Sequence, residues 1–189
     1  MSDHLITALI YTDSDRADRF LRDLALVLME RGLHLAGLVQ HNQPRPGRSR
    51  CDMVLEELSS GELVAISQDR GPHARGCALD LGQLFAAMQV VRAQLDAQPD
   101  AVILNKFGKT EAEGGGFRDL IADVPDRDLP LIIAVPWRNL ENWRAFAGPL
   151  SREVDLDVSP RAGSHLASEL MDWLPPGEPG AAPIERRHT

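Results

Sequence analysis

Lys106, Lys109, Arg118 and Arg138 are the residues best suited to chemistry, because they stand near Gly108 and the run Gly114-Gly115-Gly116. Cations that converge with successive free amides form a nest for a phosphate or a small oxyanion. The plainer alternative is that the lysines are solvated and the glycines only turn the chain, and residue types alone leave both open. A second group, Thr12-Asp13-Ser14-Asp15, offers side-chain oxygens that cap a helix by accepting from its first free amides. The aspartates of this group would repel a triphosphate, yet Asp13 and Asp15 could hold Mg²⁺ in a rebuilt enzyme site that also uses Lys106. A third group is Cys51 and Cys77, with His41, Asp52 and His73 as further metal candidates. There is no C-x-x-C pair, so buried structural thiols compete with a reversible disulfide or a soft-metal site.

What is missing narrows the chemistry. A phosphate-binding loop needs glycines, so that its amides can face the phosphates, and a lysine to neutralise them. Tyr11 to Arg16 contains neither. A nucleotide-hydrolysing enzyme of that type also places an Asp for the metal after a middle strand, often followed by a Glu for the attacking water. Asn105 and Lys106 stand there instead. An amide is a poor Mg²⁺ ligand and a lysine is no carboxylate base, so both losses argue against hydrolysis. There is no Ser-His-Asp set, no retaining carboxylate pair and no dinucleotide fingerprint, since the three-glycine run does not directly follow a strand. The Asp69-Arg70 pair reads as a structural ion pair in a turn. Trp137, Trp143 and Trp173 read as packing residues, although Trp137 beside Arg138 could also stack on a ligand.

The elements that must position these residues alternate. Leu5 to Tyr11 predicts a strand; Phe20, Leu21, Leu24, Leu28 and Met29 recur at helical spacing; Arg31-Gly32 ends that helix. Leu33 to Gln40 is a second strand, which makes a βαβ unit with parallel strands. His41 to Arg50, rich in Pro, Gly and Arg, reads as an exposed loop. Cys51 to Leu58 and Glu62 to Ser67 form a hairpin around Ser59-Ser60-Gly61. After an irregular stretch from Gln68 to Gly76, Asp80 to Ala97 is helical. Asp100 to Leu104 and Leu131 to Val135 are short strands buried on both faces. Asn105 to Arg118 is a loop leading into a helix at Phe117 to Ala122, and Asn139 to Phe146 is a further helix. Val154 to Val158 and Arg161 to Trp173 complete the pattern as strand and helix. Residues 1–174 thus read as one α/β domain, and 175–189 as a disordered tail. The fold class expected is α/β, three-layer, with a mostly parallel sheet of P-loop nucleoside-triphosphatase type and an inserted β-hairpin. In such sheets ligands gather at the carboxyl ends of the strands, where all the candidate loops fall.

Composition bounds the partners. A formal net charge of −8 disfavours nucleic acid. No apolar run approaches the roughly 20 residues of a membrane span. The N-terminus carries no basic region followed by an apolar core, so a bacterial-type cytoplasmic location with reduced thiols is expected.

Several segments together carry a resemblance: Ala36 to Gln40, Cys51 to Glu56, Ser67 to Gly71, Gly76 to Asp80, Asn105-Lys106-Phe107-Gly108-Lys109 with Glu111 to Gly114, and Val135 to Leu140. They resemble the domain-of-unknown-function family numbered 2478, related to P-loop nucleoside triphosphatases, over roughly Leu5 to Gly148. Members often lie near genes for molybdate uptake and molybdenum enzymes, so the resemblance implies a role there. The family is in turn similar to thermophilic-type nucleoside triphosphatases, from which this sequence departs at both nucleotide sites. The reading that follows is a non-hydrolytic accessory or binding protein, taking molybdate or a phosphate-containing ligand, with a molybdenum-related protein as partner. The competing readings are a nucleoside triphosphatase or nucleotide kinase with a rebuilt site, and a cysteine-based metal or redox module. The residues name no cofactor.

Overall fold

The computed structural model describes residues 5–44, 51–68, 78–158, 168 and 172. Five strands run parallel: β1 (Ile6–Tyr11), β2 (Leu35–Pro44), β7 (Ala101–Leu104), β8 (Leu131–Pro136) and β9 (Ser151–Asp155). With the antiparallel strand β3 (Cys51–Glu57) and its neighbour β4 (Leu63–Ala65), they form a seven-stranded sheet in the order β4-β3-β2-β7-β8-β1-β9. The inserted hairpin is therefore β3–β4, and it extends the sheet at one edge. Strands β1 and β2 are parallel, as the βαβ pattern requires, but β8 and β7 lie between them. A separate two-stranded ladder joins β5 (Ser67–Gln68) to β6 (Ala78–Leu79).

β1 and β8 are buried along their whole length, which explains why they read as continuous apolar runs. Alternate side chains leave opposite faces. Ile6, Ala8 and Ile10 join a core built with α2 (Leu81–Leu95), α4 (Arg118–Asp123) and α5 (Leu140–Ala147). Leu9 and Tyr11 join the other core, with Leu21, Leu24 and Leu28 of α1 (Ser14–Glu30). This is the expected three-layer arrangement.

Gly37 is required where β2 meets β7. Its φ is +124°, and a Cβ there would lie 1.9 Å from the carbonyl oxygen of Ile103. The structure departs from the expected loop at His41 to Arg50. His41 to Pro44 continue β2 and pair with Val54 back to Cys51. A ladder partner supplied by the hairpin outweighs the local Pro-rich composition, and Pro44 sits at the strand's end, where its missing N–H costs least. The loop between β7 and α4 also contains one helical turn, α3 (Lys109–Ala112). The helix expected at Arg161 to Trp173 and the tail 175–189 lie outside the described residues, except that Ser168 and Asp172 are helical.

Candidate active site at the carboxyl edge of the sheet

The turn after β1 occupies the position where a phosphate-binding loop would lie. Asp13 is the N-cap of α1, and its Oδ1 accepts from the Arg16 amide at 3.1 Å. Thr12 donates twice to Asp157 Oδ2, from its amide at 2.9 Å and from its hydroxyl at 2.7 Å. The Asp157 amide in turn donates to Asp155 Oδ1 at 2.8 Å. A helix N-terminus attracts anions through its free amides and its dipole. Here Asp13 takes that role at the Arg16 amide, so this residue is a helix cap. Asp157 was not among the residues singled out by sequence. It lies 145 positions from Thr12, just beyond β9, and no local pattern marks such a contact.

Tyr11 closes the buried side of this turn. Burial pushes its phenol up to about 12, with a hydrogen bond from Ser14 and the charge of Arg138 acting downward and the charge of Asp18 acting upward. Among the described residues, no group of three or more His, Cys, Asp or Glu side chains could hold a metal ion. Asp13 is already committed to its cap.

The second candidate loop, after β7, is organised by Glu111. This carboxylate is buried, and it accepts from the Gly108 amide at 2.8 Å and from the Phe117 amide at 3.0 Å. It therefore fills the nest that the glycines were expected to offer to a ligand. The Gly114 amide donates to the Glu111 carbonyl at 3.1 Å and the Gly115 amide to the Thr110 carbonyl at 2.9 Å. Gly116, at φ +58°, leaves space for the carboxylate: a Cβ would stand 1.9 Å from Glu111 Oε1. Sequence reasoning missed Glu111. The available signal was the capping-box spacing from Gly108 to Glu111.

The four cations do not share one destination. Lys109 pairs with Glu113 at 3.6 Å on the surface. The Arg118 guanidinium lies 4.2 Å from the ring centroid of Phe146 and donates to the Glu111 carbonyl at 3.1 Å. Lys106, half-buried, and Arg138, exposed, make no hydrogen bond or ion pair among the described residues. They leave the ends of neighbouring strands, since Leu104 of β7 is in register with Ile133 of β8. Beside them Asn105 is buried. Its Nδ2 donates to Gln40 Oε1 at 3.0 Å, and its Oδ1 has no hydrogen-bond partner among the described residues. Asn139, also buried, donates to the Phe107 carbonyl at 3.1 Å and fixes the turn after β8. Trp143 packs edge-on to Phe107 in the core, while Trp137 is exposed.

The thiol and metal candidates are mostly outside the described residues. Cys51 and Asp52 are placed only as backbone in β3, and Cys77 and His73 are not described. His41 lies instead in a cleft of about 310 Å³ between α1 and the β2–β3 ladder. Arg22 Nη1 stands 3.1 Å from His41 Nδ1, and Glu56 Oε2 stands 2.6 Å from Nε2. A guanidinium can only donate, so Nδ1 accepts from Arg22 and Nε2–H donates to Glu56. Both ring nitrogens are thereby occupied.

No helix among the described residues is long and apolar enough to cross a membrane. A family model described as a protein of unknown function, DUF2478, matches residues 6–161. The chain is 32% identical over 143 residues to the molybdenum import ATP-binding protein ModC 2 of Bradyrhizobium diazoefficiens, a match covering 76% of this chain but only 16% of that protein. In three dimensions it is similar to THEP1 from the hyperthermophile Aquifex aeolicus, with a TM-score of 0.60 and 14% identity, over 89% of this chain and 97% of the other. That likeness bears on the fold alone. The chain belongs to the DUF2478 family and has the α/β fold of the P-loop nucleoside triphosphatases.

Proposed function

We propose that this chain is a non-hydrolytic module of P-loop fold that serves molybdenum uptake as an accessory binding protein, holding a small oxyanion or phosphate group between Lys106 and Arg138. The observation that carries this reading is that the chain's own carboxylates engage the turn after β1: Asp13 caps α1, and Asp157 accepts from the amide and hydroxyl of Thr12 just before it. Among the described residues, Lys106 and Arg138, which follow the ends of β7 and β8, make no hydrogen bond or ion pair, and this supports placing the ligand there. Those strands are neighbours, about 4.8 Å apart, and both residues follow their carboxyl ends, the edge where one small anion would be held between them. Lys109 and the amides of Gly108, Gly114 and Gly115 are engaged within the chain and contribute shape. The molybdenum association draws support from the 32% identical relative, whose name includes molybdenum import. Because the match spans a sixth of that protein, its ATP-binding activity is not carried over.

Isothermal titration with molybdate, tungstate and phosphate tests the reading. Saturable heat with at least one of them, lost in Lys106→Ala and reduced in Arg138→Ala, is expected. Absence of heat with all three removes the oxyanion claim. Phosphate release from a nucleotide, lost in Lys106→Ala, replaces it with a hydrolase.

A further inference from the structure

We propose that the cleft between α1 and the β2–β3 ladder is a binding site for a small α-amino acid with an apolar side chain. No residue lining this cleft belongs to the loops that carry Lys106 and Arg138, so the inference stands apart from the oxyanion reading. The cleft measures about 310 Å³, near the lower end of the ~300–1,000 Å³ range of ligand sites. That size suits an amino acid better than a nucleotide.

Its polar end carries both signs of charge. Arg22 and Asp23 are successive residues of α1, and both line the cleft. Arg22 spends one N–H on His41 Nδ1, at 3.1 Å, and its Nε is buried with no hydrogen-bond partner among the described residues. His41 is tied in turn to Glu56 Oε2 at 2.6 Å, which fixes the imidazole to β3. The guanidinium is thus steered by His41 while one of its edges stays unspent. A planar carboxylate is the group that takes such an edge, with two parallel N–H···O bonds. Nε is covered, so pairing it takes a rotation of the Arg22 side chain as the carboxylate enters.

Asp23 is exposed and makes no hydrogen bond or ion pair among the described residues. An ammonium group suits it, and Glu56 adds negative charge from the facing strand. A ligand with a carboxylate alone would meet these two carboxylates with nothing to offset them. One with an amine alone would leave its charge beside the guanidinium. A molecule that carries both charges on one carbon satisfies both, because the residues that meet them are neighbours on one helix.

The other end of the cleft is apolar. Leu26 and Met29 continue its lip along the face of α1 that carries Arg22. Val39 of β2 and Leu58, just after β3, form the floor and belong to the core beneath α1. Leu26 is 41% exposed although it lines the cleft, and the side chain of the ligand would cover it.

Isothermal titration of the full chain with L-leucine, L-methionine and L-phenylalanine tests the site. Isocaproate, isoamylamine and glycine serve as analogues that lack the ammonium, the carboxylate and the apolar group. Saturable heat with at least one of the three amino acids is expected, at least about tenfold tighter than with any analogue. Asp23→Asn should weaken that binding at least about tenfold and should melt with wild type, since its side chain is already in solvent. Arg22→Gln should weaken it too. That variant also frees His41, so if it is unstable, Asp23→Asn and the analogue series decide. No heat with any of the three amino acids overturns the inference. So does an analogue that binds as tightly as the amino acids, or unchanged binding by Asp23→Asn.

Discussion

Removing the Glu111 carboxylate should loosen the loop after β7 and cost a measurable share of stability. The side chain is buried and satisfies two amides, Gly108 at 2.8 Å and Phe117 at 3.0 Å. Phe117 is buried, so in Glu111→Ala its N–H is left without water or protein partner. An unsatisfied buried donor costs about 1–3 kcal/mol, and a hydrogen bond to a charged acceptor contributes about 1.5–3 kcal/mol. Gly108 is half-exposed and recovers part of its loss from water. The sum is about 3 kcal/mol. For a chain of this size each kcal/mol moves the midpoint by roughly 2–4 °C, so Tm should fall by roughly 6–12 °C. Glu111→Gln should not restore it, because one of the two amides would then face an NH₂ donor. Gly116 supplies an internal check. Gly116→Ala places a methyl 1.9 Å from Glu111 Oε1 and should destabilise the wild type strongly. In a Glu111→Ala background that clash is absent, so the penalty should shrink, giving a coupling energy of at least about 1 kcal/mol in the double-mutant cycle. A midpoint shift in Glu111→Ala below about 2 °C, or strictly additive effects of the two substitutions, would refute this account of the loop.

Further predictions concern other positions. Tyr11 is the single tyrosine of the chain, so phenolate absorbance reports it alone, and the midpoint should lie near 12 in the folded protein. The folded value lies above the ordinary 10.0, so its contribution to stability is complete below pH 10 and lost as pH rises toward 12; Tyr11→Phe should flatten that alkaline loss in chemical denaturation. At Glu57, burial raises the carboxyl, but hydrogen bonds from Ser59 and Ser60 outweigh it and leave it below its usual 4.5. Its contribution is therefore present above about pH 4.5 and lost as pH falls through the lowered value, and Glu57→Gln should reduce the acid sensitivity of Tm in that window. Gly37→Ala combines a φ of +124° with a contact of 1.9 Å to a backbone carbonyl, so it should abolish the cooperative thermal transition.

Much of the scaffold was legible because it is written locally. β1 and β8 are uninterrupted apolar runs, and Asp13 is an acceptor placed immediately before helical periodicity, where it acts as the N-cap. The strand nature of His41 to Pro44 was hidden because a hairpin partner overrides local composition. At the carboxyl edge, the cations Lys106 and Arg138 and the cap Asp13 were recognisable by type. Their committed or uncommitted state was not, since it depends on Asp157 from beyond β9 and on Glu111 turning inward. A glutamate in a polar stretch reads as solvated. Its burial follows from the tertiary position of Phe117 and from the space that Gly116 leaves.

The account stands on the carboxylates of Asp13 and Asp157 having replaced a nucleotide phosphate at the first turn. Equilibrium titration of the intact chain with ATP and Mg²⁺, read by calorimetry and by phosphate release in the same sample, tests this most directly. No saturable heat and no release above the uncatalysed rate are predicted for the wild type. Stoichiometric Mg²⁺-dependent ATP binding with turnover, abolished by Asp13→Ala, would contradict it.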